Sequence, residues 1–419
     1  MTSRFGLLTA LCALPSLALA ADGADGPRLF GVPVDFFLFV ATLLGVALFH
    51  HRTTQVALTG LVIITGYKVG FTSFELVPHL VHEWVTVANL AALLLCFALL
   101  ANHFERSNVP EILPRFLPDS WLGGFALLWL VFLISSFLDN IAAAIIGATV
   151  AAAVFNNRVH LGYLAAIIAA SNAGGAGSVV GDTTTTMMWI AGVSPLEVTN
   201  AYAGSVVATA ISGVIASRQQ HAWQPIQKDA EAGAQVDWGR VGIVVMMLLI
   251  ALGTNVAVNV WFADVADAFP FIGAALVVAV GVGALIRPTA WDILPDAARG
   301  AVFLLSLVLC ASMMPVSELP AASWQTTMGL GFVSAVFDNI PLTSLALHQG
   351  GYDWGVLAMA VGYGGSMIWF GSSAGVAVAN RFPEARSTVA YLAAGWHVVL
   401  GYVIGFFVMI ALVGWNPHE

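Results

Sequence analysis

The chain has 419 residues, of which 59% are hydrophobic and 9% charged, and its mean hydropathy is +0.89. A soluble domain carries about 25% charged residues, so this composition excludes one and implies an all-α polytopic membrane protein. The net charge of −9 comes without a run of Lys or Arg, which excludes a nucleic-acid partner.

From the N-terminus, Arg4 and a short apolar run closing Leu17-Ala18-Leu19-Ala20-Ala21-Asp22 have the pattern of a secretory signal over residues 1–21; the alternative is an uncleaved first helix. Apolar runs of about 17–25 residues can cross a bilayer. They occur near 34–50, 55–71, 84–101, 161–193, 201–216, 240–260, 269–286, 300–316, 354–379 and 389–413. Lys68 falls inside the second run, to snorkel or to pair with Glu75. His79, His82 and Glu83 fall on a predicted outer loop and form a candidate pH-sensing patch, since histidine titrates near neutrality; an ordinary interfacial cluster is the simpler alternative.

Two further segments, 121–155 and 324–348, each hold two short apolar arms around an Asp-Asn break, Asp139-Asn140 and Asp338-Asn339. They predict re-entrant hairpins that enter and leave on one side. Charge placement tests this, because short cytoplasmic loops hold the Lys and Arg residues. With a periplasmic mature N-terminus and both hairpins re-entrant, Arg52, Arg106, Arg115, Arg158, Arg218, Lys228, Arg240, Arg287, Arg299, Arg381 and Arg386 fall inside and Arg28 outside. Glu75, Glu83, Glu197, Asp264, Asp267, Glu318 and Asp353 gather on the outer side.

The same layout exposes a duplication. Residues 34–216 read as three helices, a hairpin (121–155), a broken helix (161–193) and one more helix. Residues 240–413 repeat that order with a hairpin at 324–348 and a broken helix at 354–379, after a polar cytoplasmic linker at 217–239 carrying Gln219, Gln220, Lys228, Asp229 and Glu231. Five crossings per unit turn the second unit upside down. The expected architecture is two inverted repeats with about ten spans and two hairpins, a plan of secondary transporters.

Within each unit a glycine-rich break follows the Asp-Asn tip, Ser171-Asn172-Ala-Gly-Gly-Ala through Gly181-Asp182-Thr183-Thr184, and Gly364-Gly365-Ser366 through Gly371-Ser372-Ser373. Such breaks free backbone groups, tolerated at membrane depth only inside protein or around a cavity. Hydroxyls, amides and carbonyl oxygens suit a hard monovalent cation. Half-helix N-termini alone attract anions. Here Asp139, Asp182 and Asp338 offset that potential and favour a cation or a proton, and carboxylates crowded out of water hold either one.

These two Asp-Asn tips, together with Asn172-Ala-Gly-Gly-Ala through Asp182 to Met187-Met188-Trp189 and Gly365-Ser366 to Gly371-Ser372, resemble the NhaD-type sodium/proton antiporters of the ion transporter superfamily. The likeness covers nearly the whole chain after the leader. It implies a homodimer in a bacterial inner membrane that exchanges Na⁺ or Li⁺ for H⁺ in pH homeostasis, with no cofactor and no other metal. It also implies a fixed scaffold part and a moving transport part. Carried over by position, the resemblance puts Asp139, Asn140, Asn172, Asp182, Thr183, Thr184, Asp338, Asn339, Ser366, Ser372 and Ser373 in or beside the ion site. Ile141-Ala142-Ala143 stand where the family commonly has hydroxyl residues, and Gly177 and Val179 where an aromatic and a proline are usual.

The same residues admit other readings. A single Asp at such a break could be a structural N-cap. Gly371-Ser372-Ser373-Ala374-Gly375 matches a nucleophile elbow, with His397 downstream, but lacks the strand-turn-helix context. Paired intramembrane aspartates also fit a protease dyad, which leaves Asn140, Asn339 and the threonines unused. Within the superfamily the alternative is a cation-coupled carrier of citrate, another dicarboxylate or an oxyanion such as arsenite. Such a carrier should keep cationic or unopposed amide groups at its tips, whereas this chain has acids there and no Arg or Lys within either break.

Overall fold

The structure, a computed structural model, describes residues 26–49, 52–112, 116–227, 235–262, 265, 268–315 and 318–417. The expected leader at 1–21, Arg115, the linker residues Lys228, Asp229 and Glu231, and Asp264 and Asp267 lie outside the described residues.

The apolar runs become helices because lipid offers the backbone no hydrogen-bond partner. A two-residue hairpin, β1 (Arg28–Leu29) and β2 (Val32–Pro33), leads into α1 (Val34–Leu48), α2 (Thr53–Phe71), α3 (Leu76–Glu105) and the short α4 (Val109–Ile112). The first helical hairpin is α5 (Trp121–Ser135) and α6 (Asn140–Val154). The first broken helix follows as α7 (Leu161–Ala176) and α8 (Thr183–Ile190), then α9 (Pro195–Thr199) and α10 (Tyr202–Trp223). Beyond the linker come α11 (Trp238–Trp261), α12 (Phe271–Ile286) and α13 (Leu294–Ser312). The second hairpin is α14 (Trp324–Ser334) and α15 (Asn339–Gln349), the second broken helix α16 (Trp354–Gly364) and α17 (Ser373–Arg381). The chain closes with α18 (Thr388–Ala394) and α19 (Trp396–Val413).

Among the described residues, Thr53–Phe71, Leu76–Glu105, Pro195–Trp223, Trp291–Ser312 and Trp396–Val413 are long and apolar enough to cross a membrane. Packed against them are shorter apolar helices, and the protein is an all-α polytopic membrane protein. The half-helices α7 and α16 sit at the centre: every residue of α16, and of α7 after Leu161, is buried. At 1.5 Å per residue they span about 24 and 16 Å, each shorter than a hydrocarbon core about 30 Å thick. Around them, α3 packs along α11, α12 and α13, while α10 lies along α19.

Several expected boundaries move. The third helix starts at Leu76 rather than 84, so His79, His82 and Glu83 lie in its first turns and not on a loop. Pro78 is tolerated there because first-turn amides need no helical acceptor, and the His79 amide already donates to the Glu75 carbonyl at 3.2 Å. Helix α10 runs on to Trp223, which shortens the expected linker. Gln220 is buried within it, accepting from the His160 amide and donating to the Arg158 and Gln224 carbonyls. The last run is interrupted at Gly395, where a Cβ would come within 2.9 Å of Ala165. Lys68 pairs not with Glu75 but with Asp35 of α1, 3.5 Å away and fully buried.

At the edges, Arg28 grips Glu318 at 2.8 Å and Arg287 grips Asp237 at 3.0 Å. Hydrogen bonds from these guanidiniums hold both carboxyls below their ordinary range.

Close backbone approaches fasten each hairpin to its broken helix, and they recur. A Cβ on Gly174 would run into the carbonyl of Phe132, and one on Gly364 into that of Gly331. Ser135 Oγ donates to the Ser171 carbonyl at 2.5 Å, and Ser334 Oγ to that of Val361 at 2.7 Å. We therefore expect Gly174→Ala and Gly364→Ala each to destabilise the fold by roughly 1–3 kcal/mol, read as a lower midpoint of thermal unfolding in detergent. Gly66→Ala, in open space on α2, should be neutral or stabilising.

Candidate functional site

Four helix N-termini meet at the breaks, and each is capped by its own side chain. Asp139 accepts from the Ile141 amide of α6 at 3.2 Å and Asp338 from the Ile340 amide of α15 at 3.1 Å. At the head of α8, Asp182 accepts from the Thr184 amide and hydroxyl, both at 2.9 Å. Ser372 caps α17 through the Gly375 amide at 3.2 Å. Helix N-termini carry partial positive charge, so three carboxylates placed on them are favoured there and leave the fourth end neutral.

Asp182 joins the two hairpins. Its carboxylate accepts from Asn140 Nδ2 at 2.8 Å and from Asn339 Nδ2 at 3.3 Å, and only 2% of the residue is exposed. Asn140 Nδ2 also donates to Asn172 Oδ1 at 3.0 Å. Asn172 Nδ2 in turn donates to Ser366 Oγ at 2.9 Å and Ser372 Oγ at 3.0 Å. One continuous network therefore contains Asn140, Asn172, Asp182, Thr184, Asn339, Ser366 and Ser372. Beside it, Ser373 Oγ donates to Asp338 Oδ2 at 2.8 Å. The other threonines of the run brace the break: Thr185 donates to the Ser178 carbonyl and Thr186 to that of Val179.

A cavity of about 620 Å³ reaches this place. Asp139, Asp338, Thr183, Thr186 and Ser373 line its inner end, and Asp182 does not. Thr53, Thr54, Asn102, Glu105 and Arg386 also line it. Reading the sequence had singled out none of Thr53, Thr54, Asn102 and Glu105, since each lies at the end of an ordinary apolar run and only folding brings them together.

The histidine patch is separate from the cluster. His79 Nε2 lies 2.9 Å from Ser312 Oγ, and Glu83 Oε1 lies 3.3 Å from Nε2 of His348 on the second hairpin. The other ring nitrogen of His348 lies 2.7 Å from the Ser344 carbonyl. Two acceptors, one on each nitrogen, are satisfied together only by an imidazolium. His348 was missed in the sequence, where nothing connects it to Glu83.

Ser372 is engaged by Asn172 and the Gly375 amide, and neither ring nitrogen of buried His397 has a hydrogen-bond partner among the described residues. The geometry contains no Ser-His pair at the elbow-like motif.

No family model matches the chain. Among curated proteins it is 29% identical to sodium/proton antiporter 1 of Arabidopsis thaliana, over 60% of this chain and 50% of that protein. It is 25% identical to the Na⁺/H⁺ antiporter NhaD of Vibrio cholerae over 70% of each, and 24% identical to NhaD of Vibrio parahaemolyticus over 71% of this chain and 83% of that one. The chain thus spans about half the length of the plant relative and more of the bacterial ones. These relatives are named as transporters, and the chain is similar to NhaD-type antiporters as its break motifs imply.

Removing Asn172 would strip partners from Asn140, Ser366 and Ser372 at once. Leaving buried polar groups unpaired costs about 1–3 kcal/mol each, so Asn172→Ala should lower the thermal unfolding midpoint clearly more than Ser366→Ala, which removes one side-chain partner of Asn172.

Proposed function

We propose that the chain is a secondary transporter that exchanges Na⁺, or Li⁺, for H⁺ at the break cluster, with Asp139, Asn140, Asn172, Asp182, Thr183, Thr184, Asp338, Asn339, Ser366, Ser372 and Ser373 forming or bracing the ion site. The observation that carries this reading is the convergence of three carboxylates with amides and hydroxyls on four helix ends in the middle of a membrane protein, two of the carboxylates lining a cavity. An intramembrane acid is costly and is a functional default. Oxygen ligands of this kind suit a hard cation, and a proton competes for the same carboxylate oxygens. The names of the relatives support the same exchange.

The recurrence of the glycine approaches and serine bonds about 190 residues apart supports two inverted repeats, 34–216 and 240–413, with re-entrant hairpins at 121–155 and 324–348 and broken helices at 161–193 and 354–379. Assembly as a homodimer in a bacterial inner membrane, and a part in pH homeostasis, belong to the same proposal and rest on the resemblance.

Everted membrane vesicles carrying a preformed proton gradient and a pH-sensitive dye test the exchange. Added Na⁺ or Li⁺ should dissipate the gradient, and Asp182→Asn should abolish the response, since Asn140 and Asn339 donate to one carboxylate oxygen and Thr184 to the other, and an amide has only one accepting oxygen and no negative charge. A gradient indifferent to both cations at neutral and alkaline pH, with uptake of citrate or succinate instead, would overturn the reading.

For pH sensing, His79, His82 and Glu83 act together with His348. The Glu83–His348 contact joins α3 to the second hairpin, and its full set of hydrogen bonds needs the imidazolium. The contact is therefore complete at acid pH and weakens as pH rises through the titration of His348. His348→Gln should flatten the acid limb of the exchange-versus-pH profile while preserving exchange at alkaline pH. An unchanged profile removes the pair from pH control.

A further inference from the structure

The cavity that reaches Asp139 and Asp338 is larger and more apolar than a bare cation requires. At about 620 Å³ it would hold roughly 20 waters at about 30 Å³ each. That volume lies within the 300–1,000 Å³ typical of small-molecule sites, which are mostly apolar with a few convergent polar groups. Its walls include Leu94, Phe97, Phe303, Phe337 and Phe370, and the charged residues of its lining are Asp139, Asp338, Glu105 and Arg386, three acids to one base. In its lining Asp338 Oδ2 accepts from Ser373, while the Asp139 carboxylate accepts from the Ile141 amide. The two aspartates thus share a largely apolar cavity with several aromatic side chains, an arrangement that charge complementarity and cation–π attraction match to an organic cation.

We propose that this cavity binds amphipathic organic cations, flat aromatic groups bearing a primary ammonium, with the ammonium at Asp139 and Asp338 and the ring between the aromatic walls, in competition with Na⁺. The proposal rests on the reading of Asp139 and Asp338 as cation ligands, but not on transport. No bond forms or breaks; the ligand is held by ion pairing, hydrogen bonds and apolar contact.

The purified full chain in detergent, in sodium-free buffer, provides the test. Binding of 1-naphthylmethylammonium, followed by calorimetry and by the thermal shift that mass action produces, should be saturable, and Na⁺ or Li⁺ should displace it. The neutral isostere 1-naphthylmethanol should bind about tenfold more weakly or worse, since it brings no positive charge to the two carboxylates. Asp139→Asn and Asp338→Asn should each weaken ammonium binding to a similar degree. Ile145→Trp, which fills the cavity from its α6 wall without altering a carboxylate, should weaken ammonium binding about tenfold while changing Na⁺ affinity much less.

Equal binding of ammonium and alcohol would overturn the proposal, as would ammonium affinity unchanged by Ile145→Trp. If an Asn variant fails to fold, the isostere and Ile145→Trp still decide. Carboxylate-dependent ammonium binding that neither Na⁺ nor Li⁺ displaces would overturn the shared site. Vesicles in which neither cation is exchanged would count against the antiport reading alone.

Discussion

A helix that stops inside a bilayer leaves amides and carbonyls that lipid cannot satisfy, and the centre of this protein is organised around that constraint. Helices α7 and α16 end in the protein interior, α8 and α17 restart beside them, and the two helical hairpins turn next to these breaks. Each new N-terminus is satisfied by the side chain that precedes it, an aspartate in three cases and Ser372 in the fourth. Unpaired, these groups would each cost several kcal/mol in hydrocarbon. The breaks are stable because the chain provides its own acceptors and because α7 and α16 are buried on all sides.

The three aspartates do not share one environment. Asp182 is sealed away and accepts from both hairpin asparagines and from Thr184, so it ties the two hairpins together. Asp139 and Asp338 reach the cavity. Three acids that each precede a helix in the sequence thus differ in their surroundings once the chain is folded. Polar groups of this kind are specific only when all are paired, and Asn172 completes the pairing by engaging Ser366 and Ser372 across the two breaks.

Much of the candidate site was legible in the residues. Acids, amides and glycine runs inside apolar stretches stand out because each carries a large penalty in lipid, and Asn140, Asn172, Asp182, Asn339, Ser366 and Ser372 do come together. Less legible were the helix limits. His79 and Glu83 looked like loop residues because they are polar, yet the first turns of a helix accept Pro78 and polar side chains readily. Lys68 was assigned to the acid nearest in sequence, whereas packing of α1 against α2 presents Asp35. Gln219 and Gln220 looked like linker, and α10 extends through both.

The sequence alone determined that the chain lives in a membrane, where its helices break and which residue types gather at the breaks. Those features follow from local composition, since burial of apolar runs and the cost of polar groups in lipid act residue by residue. Tertiary structure alone decided that Asp182 links both hairpins, that Asp139 and Asp338 face a cavity, and that His348 meets Glu83 across 265 positions. These are meetings between distant segments, set by how helices pack against one another, and no spacing along the chain encodes them.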